Sequence, residues 1–139
     1  MKNFKEIHIG KIIYQASKER NVETTRIINF LKCTEKEIDD MYSQNTIDTE
    51  TLLKWSKLLK YDFFRLYSQH LLFYSPQENY NPIDKSELPV FRKNLYTKEI
   101  IDYILEQIDT NSLSKQEVIS RYKIPKTTLY KWIKKYKNE

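Results

Sequence analysis

Glycine and cysteine each occur once among the 139 residues, and histidine twice. Each scarcity excludes a chemistry. A dinucleotide fingerprint draws on three glycines, a P-loop on two and a G-x-S-x-G nucleophile elbow on two. A single cysteine, Cys33, excludes an internal disulfide and any Cys-rich zinc module. His8 and His70 are too far apart in sequence for an H-E-x-x-H zinc pair. No stretch approaches the roughly 20 apolar residues of a membrane helix. Primed hairpin turns rely on glycine, yet no Asn-Gly or Asp-Gly pair occurs, and alternating strand patterns are missing. An all-α fold is therefore expected, with Asn21, Asn45 and Asn111 available for left-handed turn positions. No cofactor, metal, small-molecule substrate or membrane contact is expected. No apolar signal segment follows the first residues, Met1-Lys2-Asn3-Phe4-Lys5-Glu6, and one unpaired cysteine suits a reducing compartment, so the expected location is the cytoplasm.

The chain is rich in helix signals. Two helical blocks, residues 1–74 and 90–139, are expected on either side of a linker, 75–89, which holds three of the four prolines. In the first block Ile9, Ile13 and Ala16 recur at helical spacing and predict a helix over about 8–19. Ile27, Ile28 and Leu31 predict a second over about 23–32. Thr34-Glu35-Lys36-Glu37 reads as a capping box opening a third, to about Ser43. Asp48 caps a fourth, with Leu52, Trp55, Leu58 and Leu59 on one stripe. Asp62 caps a fifth carrying Phe63, Leu66, Tyr67, Leu71 and Phe73. In the second block Thr97 caps a helix with Ile100, Ile101, Ile104, Leu105 and Ile108 inward. Ser114-Lys115-Gln116-Glu117 is a further capping box, opening a helix to about Tyr122. Ile124-Pro125 makes a turn, and a last helix runs from about Lys126 to Tyr136 with Leu129, Trp132 and Ile133 on its apolar face.

The net charge is only +5, but it is unevenly placed. Between Lys115 and Lys137 lie Lys115, Arg121, Lys123, Lys126, Lys131, Lys134, Lys135 and Lys137, opposed by Glu117 alone, which makes +7. The remainder of the chain is therefore −2. Two helices joined by a tight turn hold the second by its apolar face and leave its outer face free. A major groove admits such a helix, and flanking lysines can neutralise phosphates. Thr127, Thr128 and Tyr130 are placed to touch base edges or thymine methyls.

The run from Ser114 to Tyr136, strongest at Lys126-Thr127-Thr128-Leu129-Tyr130-Lys131-Trp132, resembles the helix-turn-helix of transposase and recombinase DNA-binding domains, which are homeodomain-like tri-helical units. The likeness covers about 97–137. It implies that Leu129 and Trp132 are core, that Lys126, Thr127, Tyr130 and Lys131 contact bases or backbone, and that Lys134 contacts phosphate. Lys115, Lys123 and Lys135 are further candidates for phosphate. Pro125 stands where that family usually has a small polar cap. The implied protein is non-enzymatic and binds double-stranded DNA, as a transposon-associated subunit or a small transcriptional regulator. The competing reading is a helical interaction module whose basic helix docks on an acidic protein surface.

The first block carries a second resemblance. Ile47 to Asp62 is similar to the fourth helix of Cro/C1-type (XRE-like) repressor domains, with Ile9-Gly10-x-x-Ile13 and Val22 to Cys33 fitting the first two. The helix in the recognition position departs from that pattern. It carries Glu35, Glu37, Asp39 and Asp40 against Lys36 alone, a charge of −3 where phosphates would approach. Dimerisation or partner binding is expected of this block instead, so a homodimer is expected. Cys33 and His70 read as packing residues, and Phe63, Phe64, Tyr67, Phe73 and Tyr74 as core, or as interface if exposed.

Overall fold

The computed structural model describes residues 5–75, 87–89 and 96–137, and among these it is all-α, with eight helices and no strand. They are α1 (Ile9–Glu19), α2 (Thr24–Leu31), α3 (Glu35–Ser43), α4 (Thr49–Leu59), α5 (Phe64–Tyr74), α6 (Lys98–Asp109), α7 (Lys115–Tyr122) and α8 (Lys126–Lys137). The chain divides into two compact units, Met1–His70 and Leu71–Glu139, with the division inside α5. Most of the expected linker, 75–89, lies outside the described residues. None of the described helices is long and apolar enough to cross a membrane.

Local chemistry starts the helices. His8 Nδ1 accepts from Lys11 N at 3.2 Å, Thr34 Oγ1 from Glu37 N at 3.2 Å, and Asp48 Oδ1 from Thr51 N at 2.8 Å. Each satisfies a first-turn donor with no intrahelical partner. The Thr51 hydroxyl also donates to Asp48 Oδ2, and these bonds hold the Asp48 carboxyl below its ordinary pKa. At Ser114 the capping box is complete in both directions, whereas at Thr34 only the hydroxyl half forms. Asp62 does not cap α5 as expected. The helix begins at Phe64, and Asp62 instead pairs loosely with Arg65 at 3.8 Å.

Helix ends depart further from expectation. Asn21 and Asn111 take left-handed backbone, but Asn45 does not. Three lysines do: Lys32, Lys60 and Lys123, with φ of 57°, 51° and 53°. A side chain in that region costs roughly 1 kcal/mol. The closing hydrogen bonds offset it: Lys32 N donates to Ile28 O at 2.9 Å, and Tyr61 N to Ser56 O at 3.2 Å.

The N-terminal core joins Ile9, Ile13 and Ala16 of α1, Ile27 and Leu31 of α2, Ile38 of α3, Leu52, Trp55, Leu58 and Leu59 of α4, and Phe63. Trp55 is wholly buried, and its indole N–H donates to the Met41 sulfur at 3.3 Å. Tyr42 lies between the rings of Tyr14 and Trp55, at centroid distances of 5.1 and 5.9 Å. Burial raises the Tyr42 phenol above its ordinary pKa, and a hydrogen bond with Ser17 partly opposes the shift. Ser17 is the buried polar side chain of this core, and its hydroxyl donates to Ile13 O at 2.9 Å.

The one glycine sits in no turn. Gly10, in the first turn of α1, lies against the last carbonyls of α3. A Cβ there would stand 2.5 Å from Gln44 O and 2.6 Å from Tyr42 O, and closer still to Met41 O. The approach is held by Gly10 N donating to Gln44 O at 3.0 Å and Ile9 N to Asn45 O at 3.4 Å. Donors left over at the start of α1 thus satisfy acceptors at the end of α3.

In the C-terminal unit the core is Leu72 and Phe73, then Ile100, Ile101, Ile104 and Leu105 of α6, Val118 and Tyr122 of α7, Ile124 and Leu129. Phe73 meets Tyr103 edge to face at 4.4 Å. Asn111 turns the chain after α6, where Leu113 N donates to Gln107 O at 3.1 Å.

Gly10→Ala tests the close approach. A helix-favouring alanine would ordinarily stabilise by about 1 kcal/mol. Here three backbone carbonyls must move, at about 3 kcal/mol. Urea unfolding should show a net loss of about 2 kcal/mol. An equally or more stable variant would refute the α1–α3 contact.

Candidate nucleic-acid interface

In α7 the fourth and eighth residues, Val118 and Tyr122, are buried. Three turn residues follow. Lys123 is left-handed and exposed, Ile124 is buried, and Pro125 is exposed and pre-set for the start of a helix. In α8 the fourth residue, Leu129, is fully buried, and Thr128, Trp132, Ile133 and Tyr136 are half-buried. Trp132 meets the Tyr96 ring edge-on at 5.0 Å. Two helices are thereby locked through one side of α8.

The other side of α8 is free. Lys126, Thr127, Tyr130, Lys131, Lys134 and Lys135 are exposed, and at 3.6 residues per turn they occupy one half of the helix. No acidic residue occurs in α8. Lys115 and Lys123 are also exposed, the first opening α7 and the second in the turn. Of the nine candidate residues, eight are therefore surface groups on this helix-turn-helix, and Thr128 alone is half-buried at the margin.

Arg121 differs from the lysines counted with it. It is half-buried, its Nε is shielded and without a hydrogen-bond partner among the described residues, and its guanidinium lies 5.8 Å from the Tyr122 ring centroid. Burial raises the phenols of Tyr103 and Tyr122, and the Arg121 charge opposes the shift at both. Arg121 thus belongs to the packing of α7, and lysines supply the exposed charge.

The N-terminal unit repeats this arrangement residue for residue. With Thr24 aligned on Lys115, the buried Ile27 and Leu31 fall on Val118 and Tyr122. The left-handed Lys32 falls on Lys123, and half-buried Cys33 on buried Ile124. Thr34 falls on Pro125 and buried Ile38 on Leu129, with half-buried Met41 and Tyr42 on Trp132 and Ile133. Side-chain identity is nearly absent from this alignment. The equivalence is in burial and backbone, which residue comparison alone does not detect.

The outer faces are opposite in charge. Where α8 exposes Lys126, Thr127, Tyr130, Lys131 and Lys134, the matching positions of α3 expose Glu35, Lys36, Asp39, Asp40 and Ser43. In the α2–α3 turn, burial raises the Cys33 thiol above its ordinary pKa and Glu37 raises it further, so it is not an activated nucleophile. Among the described residues no cluster of His, Cys, Asp and Glu could hold a metal ion.

No protein-family model, curated protein or solved structure matches this chain.

Proposed function

We propose that this protein binds double-stranded DNA through the α7–α8 helix-turn-helix, with the outer face of α8 in the major groove. The observation that carries this reading is the acid-free, half-cylindrical face of Lys126, Thr127, Tyr130, Lys131, Lys134 and Lys135. Lys126, Thr127, Thr128, Tyr130 and Lys131 stand nearest the bases. Lys115, Lys123, Lys134 and Lys135 serve phosphates, releasing condensed counterions as they do so. Such a protein acts at a transposon end or as a small transcriptional regulator.

The reading makes binding salt-dependent. With three to five lysines on phosphate, log K falls against log salt with a slope of about −3 to −4.5. Titrating a labelled duplex at several salt concentrations measures it. Lys131→Ala should weaken binding at every salt concentration. A salt-independent affinity, or retention of an acidic protein surface but not of duplex DNA, would reject groove binding in favour of a protein-docking helix.

The N-terminal unit has the same helix-turn-helix frame with acids outside, and like charges repel a phosphate backbone. Its role in this reading is to pair two chains, presenting two α8 helices to half-sites about one helical turn apart. Sedimentation equilibrium of the full chain should return a dimer, and a monomer at all concentrations would exclude the pairing. If charge is what bars α3 from DNA, the triple variant Glu35→Lys, Asp39→Lys, Asp40→Lys should bind non-specific duplex more tightly, with a steeper salt slope. Unchanged affinity would mean that the α3 face is closed to a duplex for a reason other than its charge.

A further inference from the structure

Tyr130 carries two cations at once. Lys115 places its Nζ 5.4 Å from the ring centroid, and Lys126 places its own 5.7 Å away. Lys126 lies one turn before Tyr130 on α8 itself, and Lys115 opens α7, so it is the tight turn that brings the second lysine to the ring. Tyr130 remains 44% exposed, which leaves the cluster open to solvent.

Neither ammonium has a carboxylate partner among the described residues. Glu117, the acid within this helix pair, is already engaged. Its Oε2 accepts from Ser114 N at 2.6 Å, and its own N–H donates to Ser114 Oγ at 3.1 Å. The residue before α8 is Pro125, whose ring has no oxygen to cap the first N–H groups of that helix. Two ammonium groups without a carboxylate partner thus stand against one exposed tyrosine ring near the start of α8.

Both ammonium groups are exposed and neither is neutralised by a carboxylate among the described residues, so the ligand that complements them is an anion. A tetrahedral diester phosphate has one negative charge and two free oxygens, enough to accept from both lysines and from the phenol hydroxyl. We propose that Lys115, Lys126 and Tyr130 together hold a single backbone phosphate of duplex DNA, and that this shared contact sets the angle at which α8 enters the groove. The proposal rests on the DNA-binding reading, moves Lys126 and Tyr130 within it from the bases to the backbone, and adds a definite stoichiometry. Two lysines serve one phosphate, so their contributions are coupled.

The test measures affinity of the full chain for a short DNA duplex across a salt series. The variants are Lys115→Gln, Lys126→Gln, both together, and Tyr130→Phe, with Lys57→Gln on α4 as a charge control and circular dichroism as a check on folding. Each single lysine variant should weaken binding about tenfold. The double variant should fall far short of the product of the two, and its salt slope should be shallower by about 0.9, the value for one phosphate. Tyr130→Phe should weaken binding a few-fold, on the order of one hydrogen bond, and leave the slope unchanged. Multiplying effects with a slope loss of about 1.8 would mean two separate phosphates and overturn the shared site while DNA binding stands. Unaltered binding by the double variant would also overturn it. A wild-type chain that does not bind duplex DNA would overturn both readings.

Discussion

No side chain fits at position 10, and the N-terminal unit is arranged around that fact. Because Gly10 lets α1 reach the end of α3, the free N–H groups of Ile9 and Gly10 find the carbonyls of Asn45 and Gln44. Two helix termini that would otherwise need water or side-chain caps satisfy each other. The contact also fixes how far along α3 the first helix lies. Ile13, Ala16 and Ser17 then face the core, and Tyr14 meets Tyr42, which in turn meets Trp55. A wider spacing would open a gap beneath Trp55, the largest fully buried side chain. In a chain with one glycine, that glycine serves helix packing, and lysine and asparagine take the left-handed turn positions.

The same frame is used twice with different surfaces. In both units an eight-residue helix, a three-residue turn opened by a left-handed lysine, and a second helix share one register of buried positions. Packing constrains the inner positions, since a volume change there strains or empties a close-packed core. Solvent constrains the outer positions far less. The outer face of α3 can therefore carry Glu35, Asp39 and Asp40 where α8 carries Lys126, Tyr130 and Lys131, at little cost to either fold. In the proposed division of labour, α8 faces DNA while the α2–α3 frame serves as scaffold for pairing.

Helix positions were largely legible, because caps and stripes are local signals. Thr34, Asp48, Thr97 and Ser114 cap the helices they were expected to cap. The apolar stripes of α4, α6 and α8 are read directly at 3.6-residue spacing. The turn geometry was less legible. Asn45 is a better left-handed residue than lysine by intrinsic preference, yet Lys32, Lys60 and Lys123 take that backbone because the packing of successive helices demands a tight stop there. Asp62 looked like a cap, but α5 starts after Phe63, which is drawn into the core. Of the candidate interface, the charge was legible and its arrangement was not. Arg121 counts with the basic residues in sequence and packs inward in space. The approach of Lys115 to the Tyr130 ring depends on the angle that the turn sets between two helices.

The sequence alone determined an all-α chain, where most of its helices begin, and that its positive charge gathers in the last two of the eight described helices. These follow from short-range patterns: caps, spacing and formal charge. The tertiary structure decided why the glycine stands where it does, that two dissimilar segments share one buried register, and which lysines share a ring. Each depends on residues distant in sequence or on the angle between helices. Side-chain identity is weakly constrained wherever volume and polarity suffice, so two sequences with little in common can share one pattern of buried positions. That equivalence becomes visible only when burial, which tertiary packing sets, is compared position by position.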